Sequence, residues 1–305
     1  MSESNQVKLI YVVESTYGTT PTNSVNWKTL RMTGESIGAN PQTIISNEIR
    51  SDRQVADNIL VSLQVGGASN FEMSAQTFDD FLEAVMCGTW TTDVLKIGST
   101  DRSYTLEKQF LDLSQNIAFK GMRVGQMDLN FTFNQIVTGA FTFVGNGVTS
   151  PSGTSLVGTG TLAAATTTDV LASPDVGTIQ VDGGSAPSPI RSIQLSLNNN
   201  MRPTEALGNS APLNQRKGRA TITGTIEAYF DDVTLYNKLI NNTAASLSWV
   251  ASDGTNSYTF LLPKIKFGDG NPTADAGDQD VIQTLSFTAL YDATEATSLK
   301  VTRAP

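Results

Sequence analysis

The chain has 305 residues, of which 39% are hydrophobic, and it carries a formal net charge of −9 and no histidine. Because a domain of about 150 residues can bury a core, this length permits one large or two medium domains. The lack of histidine removes the commonest general base and the commonest transition-metal ligand. The acidic balance disfavours tight binding to a phosphate backbone. Composition thus argues against the usual catalytic triads and against nucleic-acid recognition.

The sequence contains no membrane or targeting signal that we recognise. Its apolar runs are shorter than the roughly 20 residues that span a bilayer. The N-terminal residues MSESNQVKLIYVVES combine a short apolar stretch with an acidic flank, so we expect neither a secretory signal nor a presequence. Cys87 is the single cysteine, which excludes an intrachain disulfide and predicts a core position.

The first unusual segment in chain order is a polar excursion over residues 39–58. It carries both signs of charge within six positions, at Glu48, Arg50, Asp52 and Arg53. Structureless loops of about 20 residues are uncommon inside compact domains and are usually functional or disordered. An ordinary solvated loop is one interpretation. The other is a docking arm that meets opposite charges on an identical neighbour.

A short helix is predicted next, over Phe78–Cys87, because its apolar residues recur at helical spacing. Thr77 is a candidate N-cap, and Gly88 can end the helix in the left-handed conformation. The adjacent carboxylates of Asp79 and Asp80 suit a helix start better than an acid–base pair.

Most other segments alternate with period two, which predicts antiparallel sheets with one buried face. The alternation covers residues 129–133, 141–143, 193–197, 222–228, 258–262 and 285–289. Between the halves, residues 148–189 are rich in Ser, Thr, Gly and Ala. We expect this segment to be an exposed connector or a surface insertion.

The second half repeats the excursion and the helix. Residues 198–218 form a second polar excursion, and the basic residues Arg216, Lys217 and Arg219 lie at its end. The segment 231–241 predicts a helix, with Val233, Tyr236, Leu239 and Ile240 on its buried face.

The late segment Asp269–Asp280 is dense in carboxylates and glycine. Calcium prefers such oxygen ligands, but the spacing departs from the EF-hand pattern, so a solvated hairpin loop is the better interpretation. We predict no catalytic, cofactor-binding or metal-binding residues.

The two halves also match at a fixed offset. The residues GGASNFEMSAQTFDDFL from Gly66 align with GRATITGTIEAYFDDVT from Gly218, and Phe-Asp-Asp recurs 152 positions later, since 230 − 78 = 152. We therefore predict a mainly β chain with two tandem β-sandwich or barrel-forming units, each with one short helix and one long loop. Their bounds are 1–147 and 190–305, joined by 148–189. Chance convergence of two similar β–α segments is the alternative.

Three segments, in this order, resemble the major tail tube proteins of long non-contractile-tailed (siphovirus-type) bacteriophages. They are YVVESTYGTTP at residues 11–21, the run 198–230 that leads into TITGTIEAYF, and DQDVIQTLSFTALYD at 278–292. The resemblance implies two tail-tube-like units in a structural subunit whose rings stack into a conduit for DNA ejection.

The resemblance also implies the partners. Three two-unit copies would make a pseudo-sixfold ring, whereas six copies would be needed if the duplication is spurious. Rings would stack helically, contact other phage tail proteins and pass DNA through an acidic lumen without specific binding. The protein would reside in the virion tail after assembly in the bacterial host cytoplasm, with no membrane partner. The candidate contacts between rings or subunits are Glu48, Arg50, Asp52, Arg53, Arg216, Lys217 and Arg219.

Other functions stay open at this point. Another virion β-sandwich, such as a distal tail, terminator or decoration protein, would share the composition. A carbohydrate-binding adhesin could stack sugars on Trp27, Trp90 or Trp249. An enzyme that uses paired carboxylates has the least support.

Overall fold

The computed structural model describes residues 2–22, 25–274 and 277–304. Within these ranges the chain is mainly β with two helices, which confirms the predicted mainly β class. The helices are α1 (Asp79–Met86) and α2 (Thr234–Ile240). The strands are β1 (Val7–Val13), β2 (Asn26–Thr29), β3 (Gly34–Glu35), β4 (Gly38–Ile45), β5 (Asn58–Glu72), β6 (Val94–Lys96), β7 (Tyr104–Phe110), β8 (Gln115–Thr132), β9 (Thr138–Gly145), β10 (Gly147–Val148), β11 (Thr161–Ala163), β12 (Gln180–Val181), β13 (Gly184–Ser185), β14 (Ile190–Asn198), β15 (Arg202–Thr204), β16 (Asn214–Arg216), β17 (Thr221–Tyr229), β18 (Ala245–Ser252), β19 (Ser257–Asp269), β20 (Ile282–Ala289) and β21 (Lys300–Ala304).

The strands of the two halves pair in the same order. In the first half the neighbours run β4-β5-β9-β8-β7, and every pair is antiparallel. In the second half they run β14-β17-β20-β19-β18, again antiparallel throughout. Each helix follows the second strand of its series, so α1 comes after β5 and α2 after β17.

The two series join directly within one sheet. The C-terminal part of β8 pairs with β14 from Thr132↔Ser192 to Gln126↔Asn198. The last strand, β21, makes a second connection because it pairs with β19 on one side and with β6 on the other. One hydrophobic core cluster consequently runs through both halves, from Leu9 to Val301.

Period-two alternation decides which side of each strand is buried. On β8, Met127, Leu129 and Phe131 face this core, while the residues between them are half-buried. Strand β1 is apolar at nearly every position because it is covered on both faces. Its Leu9 lies in the main core, and Ile10 packs in a small second cluster with Trp27.

Helix α1 is confirmed, but its ends differ from the prediction. Thr77 makes no capping bond, because its hydroxyl is engaged by Ser74 and Thr166, each at 2.7 Å. The left-handed residue at the C-terminal end is Cys87, with φ of 48°, and not Gly88.

Helix α2 is shorter than predicted and buries a different side chain. It begins at Thr234, whose amide donates to Asp232 Oδ1 at 2.6 Å. Leu235 is its buried residue, whereas Val233 and Ile240 are exposed, so the predicted buried face was wrong. The helix lies on the sheet mainly through β19.

The segment 148–189 runs along both halves. Its β11 pairs in parallel with β2, and its β12 pairs with β18. Leu171 is fully buried in the main core, and Val157 packs against the small cluster around Trp27. The segment therefore covers the outer strands of each half.

None of the helices in the described ranges is long and apolar enough to cross a membrane.

Candidate assembly surfaces

The face of the central sheet opposite the core is polar across both halves. Register partners share a face, so the pairings define rows of side chains that cross the sheet. One row runs through Asn70, Ala140, Asp128, Ser196, Thr223 and Thr288. The next row runs through Glu72, Thr138, Asn130, Gln194, Thr225 and Ser286. We call this surface the polar face.

The polar face carries few charges, which are of both signs: Glu72, Asp128 and Glu227 are acidic, and Lys266 lies opposite Thr288. Asp128 accepts hydrogen bonds from Ser196 Oγ at 2.6 Å and from Gln126 Nε2 at 2.9 Å. Glu227 accepts from Ser192 Oγ at 3.2 Å and pairs with Arg191 at 3.6 Å. Since short neutral side chains fill most other positions, this face offers water a dense set of hydrogen-bonding groups.

The polar face ends in two strand edges that are unpaired within the described residues. At one end, β3 and β4 pair only with β5. At the other end, β18 covers β19 as far as Ile265, and the stretch from Lys266 to Asp269 has no strand on that side. Free edges of this kind readily pair with another chain.

The first excursion, residues 39–58, forms the outer part of the β4–β5 hairpin, and we call it the first arm. Its apolar side chains are exposed, and Ile49 is 98% accessible. The tip holds a local ion pair between Arg50 Nη2 and Asp52 Oδ2 at 2.8 Å. This guanidinium lowers the pKa of the Asp52 carboxyl. The arm therefore projects apolar surface and charge into solvent.

The four predicted contact residues of the first arm lie together at its tip. Glu48, Arg50, Asp52 and Arg53 are all exposed. Arg53 adopts a left-handed conformation with φ of 58°, which turns the chain back toward β5. The geometry leaves these side chains accessible to another copy.

The second excursion forms the β15–β16 hairpin, which we call the second arm (residues 202–216), and it folds back onto the first half. The amide of Leu63 on β5 donates to Ser210 O at 2.6 Å. Arg123 of β8 donates to Gln215 O at 2.7 Å and lies 4.8 Å from the ring of Tyr17. Burial raises the pKa of the Tyr17 hydroxyl to about 12.

The three predicted contact residues near the second arm have different environments. Lys217 is engaged within the chain, because its Nζ pairs with Asp101 and donates to Ser99 O at 2.8 Å. Arg216 is exposed and lies opposite Arg202. Arg219 is exposed, and its carbonyl accepts from Asn200 Nδ2 at 2.8 Å.

Asp101 links this region electrostatically. Partial burial opposes its ionisation, but Lys217 and Arg123 outweigh that effect and lower the pKa of the Asp101 carboxyl. Sequence reasoning missed both Asp101 and Arg123, since neither lies in a motif.

The paired carboxylates at α1 connect distant segments. Asp80 accepts from Tyr11 Oη at 2.9 Å. Asp79 pairs with Arg303 Nη1 at 2.5 Å, which ties the C-terminal strand to the first helix. They lie in the first helical turn as predicted, and each also makes a tertiary contact.

The other predicted sites have plain outcomes. Trp27 and Trp249 are buried in the core and are inaccessible to a sugar. The described residues contain no group of three or more acidic or cysteine side chains arranged to hold a metal ion. The segment Asp269–Asp280 includes Asp275 and Ala276, which lie outside the described residues.

A family model described as phage tail tube protein matches residues 4–289. The chain belongs to the phage tail tube protein family. Members are structural proteins of the phage tail and not enzymes, and the family implies self-assembly and contact with other tail proteins. A search of curated proteins finds no match. The family match gives the two free edges and the exposed first arm a context: they are surfaces of a subunit that assembles.

Proposed function

We propose that copies of this chain close into rings, and that the rings stack into a tube through which phage DNA is ejected. The observation that carries the proposal is the polar face, which is continuous across both halves and ends in two free strand edges. Ring closure would pair these edges and remove them from solvent. The polar face would then line the lumen.

The chemistry of the polar face suits a passage for DNA. Its acidic groups, Glu72, Asp128 and Glu227, outnumber Lys266 and would repel a phosphate backbone, and its many Thr, Ser, Asn and Gln side chains would keep water at the wall. Specific binding would need clustered cations, which are the groups that give proteins their affinity for phosphates. DNA therefore passes without being held.

Three copies per ring follow if the two series of strands are repeats of one unit. The identical strand order supports this, as does the register: Glu72 lies opposite Thr138 in the first series, and Glu227 lies opposite Thr284 in the second. On this basis the units are 1–147 and 190–305, and 148–189 connects them. A ring of three copies has pseudo-sixfold symmetry.

The first arm would contact the neighbouring ring. Its exposed tip with Glu48, Arg50, Asp52 and Arg53 reaches beyond the sheet, and its apolar residues need cover. The exposed Arg216 and Arg219 complete this set of contacts, while Lys217 stabilises the subunit itself. A siphovirus-type tail, assembled in the bacterial cytoplasm, is the corresponding location.

Electron microscopy of the purified protein tests the proposal, together with the mass of its smallest ring by light scattering. Long hollow tubes built from three-copy rings are the expected result. Isolated rings that never stack would favour a terminator or distal tail protein instead. A species that stays monomeric, alone and with phage tail tips that initiate growth, would refute both.

A further inference from the structure

The joint between β8 and β14 provides a template for contacts between copies. It is antiparallel, with Asp128 opposite Ser196 and Met127 opposite Leu197. The Ser196 hydroxyl donates to Asp128 Oδ1 at 2.6 Å. Here the first strand of the second series covers the side of β8 that β7 leaves free beyond Met122.

The first strand of the first series is β4. It lies beside β5 as β14 lies beside β17. Thr223 of β17 lies opposite Thr288 of β20, and Ala68 of β5 lies opposite Thr142 of β9. Ala68 and Thr223 are therefore equivalent residues on the second strands of the two series. Ser196 is the neighbour of Thr223 on its other side.

Ser36 is the corresponding neighbour of Ala68. Its amide donates to Ala68 O at 2.8 Å, and its hydroxyl accepts from Ala68 N at 3.0 Å. Ser36 therefore corresponds to Ser196, Ile37 corresponds to Leu197, and Gly38 corresponds to Asn198, which agrees with the pairing of Gly38 with Gly66.

The free stretch of β19 corresponds in the same way to the part of β8 that binds β14. Met127 lies opposite Phe141, and Phe267 lies opposite Phe287. Asp128 lies opposite Ala140, and Asp269 lies opposite Ser286. The two strand pairs differ in the place of their bulge, which lies between Val124 and Gln126 on β8 and between Phe267 and Asp269 on β19.

We infer that the joint between copies is an antiparallel pairing of residues 34–38 of one copy with residues 266–269 of the next. Ser36 lies opposite Asp269, Ile37 opposite Phe267, and Gly38 opposite Lys266. The inference rests on the proposed function and adds to it the strands and the register. It repeats between copies the joint that each chain already contains.

The surface beside β3 has room for an added strand. An open groove of about 710 Å³ is lined there by Leu9, Leu30, Gly34, Glu35 and Glu72, among others. A strand that adds to a sheet needs such space for its alternate side chains. The groove lies against the edge from which the joint would start.

An ion pair protects this edge in the single chain. Because Ser36 directs its amide to β5, Ile37 directs its amide and carbonyl away from β5. Glu35 Oε2 accepts from Ile37 N at 2.8 Å, and Lys108 Nζ donates to Ile37 O at 2.7 Å. Glu35 and Lys108 also pair with each other at 2.7 Å and are 14% and 13% exposed. Charges turned inward at an edge prevent premature pairing, so the joint forms only when this pair moves aside.

Disulfide cross-linking tests the register. In a Cys87→Ala background, Ser36→Cys with Asp269→Cys should link neighbouring copies when tubes are oxidised, because directly opposite residues bring their Cβ atoms within disulfide reach. The covalent products should end at three copies. The matched control is Ser36→Cys with Ser286→Cys, one strand further away at roughly 10 Å, which should not link.

The outcomes separate the joint from the function. Tubes without the first cross-link, or with equal linking in the control, would overturn the joint and leave the tube proposal standing. Absence of tubes and rings from the unmodified protein would instead remove the tube proposal. If the cysteine variants do not assemble, amide hydrogen exchange of unmodified tubes decides. The amide hydrogen exchange of peptides that cover 34–38 and 266–269 should slow at least tenfold on assembly. Unchanged exchange rates in these peptides would overturn the joint.

The protecting pair has its own test. Glu35→Ala with Lys108→Ala should shorten the lag before spontaneous tube growth several-fold, since Ile37 N and O then lose their side-chain partners and are free to pair. Glu83→Ala with Arg102→Ala removes an ion pair of similar burial elsewhere and should leave the lag unchanged. Equal lags in the two variants would show that the pair has no protecting role.

Discussion

The two arms occupy the same place in the strand order but have opposite fates. The first arm leads into β5 and projects into solvent with Ile49 uncovered. The second connects β14 to β17 and is fastened to the first half by Arg123, Lys217 and Leu63. One arm has its partner inside the chain, and in the proposed function the other would contact a second molecule. Folding and assembly would then use similar hairpins for different purposes.

Removing the tip of the first arm should have the largest effect. Replacement of residues 46–57 by a two-residue Asn-Gly turn should abolish tube growth beyond single rings, because the exposed contact surface is lost. The monomer should unfold at an unchanged urea concentration, since the tip buries little within the chain. Electron microscopy and urea titration measure the two effects. Full-length tubes from this variant would break the comparison.

Loss of the Arg123 side chain should loosen the second arm. Arg123→Ala should lower the free energy of unfolding by about 2 kcal/mol, because Gln215 O loses a charged donor in a buried position. Urea unfolding gives the value. Arg50→Ala on the exposed first arm is the matched control and should change stability by less than about 0.5 kcal/mol. Equal effects would mean that the second arm is not fastened as described.

Charge reversal on the first arm should affect stacking and spare the fold. Arg50→Glu with Arg53→Glu should shorten tubes several-fold, because like charges would meet where opposite charges are expected. Its unfolding free energy should stay within about 0.5 kcal/mol of the original. The Lys substitutions at both positions retain the charge and serve as the control. Tubes of normal length from the reversed variant would refute a docking role for these residues.

Low pH should slightly weaken the attachment of the second arm to the first half. The pKa of Asp101 is lowered in the folded protein, so its contribution to stability is present above its ordinary pKa of about 4 and is lost as the pH falls through the folded value. The stability difference between the original protein and Asp101→Asn should therefore shrink from about pH 5 toward about pH 2. Asp101 is half-exposed, so the whole effect should be below about 1 kcal/mol. A difference that is constant with pH would contradict the assignment.

Local patterns in the sequence predicted the strands and helices well where one face is buried. The alternation at 129–133 placed Leu129 and Phe131 in the core correctly, but Phe133, predicted on the same face, is exposed because β8 ends at Thr132. The same reasoning failed for α2, where Leu235 is buried and Val233 is not. The orientation of a short helix on the sheet decides which of its side chains are buried, and that orientation comes from tertiary packing.

The candidate surfaces were predicted in part. The exposed residues of the first arm follow from a polar run between two strands. Lys217 resembles Arg216 and Arg219 in sequence, yet it pairs with Asp101, which is more than a hundred positions away. Arg123 and Ser36 gave no signal either, because each acquires its role from a neighbour that the chain brings close only by folding.

The sequence by itself determined the β class, the two helices and the absence of histidine chemistry, because these depend on composition and on short-range periodicity. The tertiary structure decided which strands meet, which arm is fastened, and where the polar face ends in free edges. Backbone groups can form hydrogen bonds between any two strands. The pairing that buries the apolar face is selected, so the partners and the register depend on the packing of the whole chain.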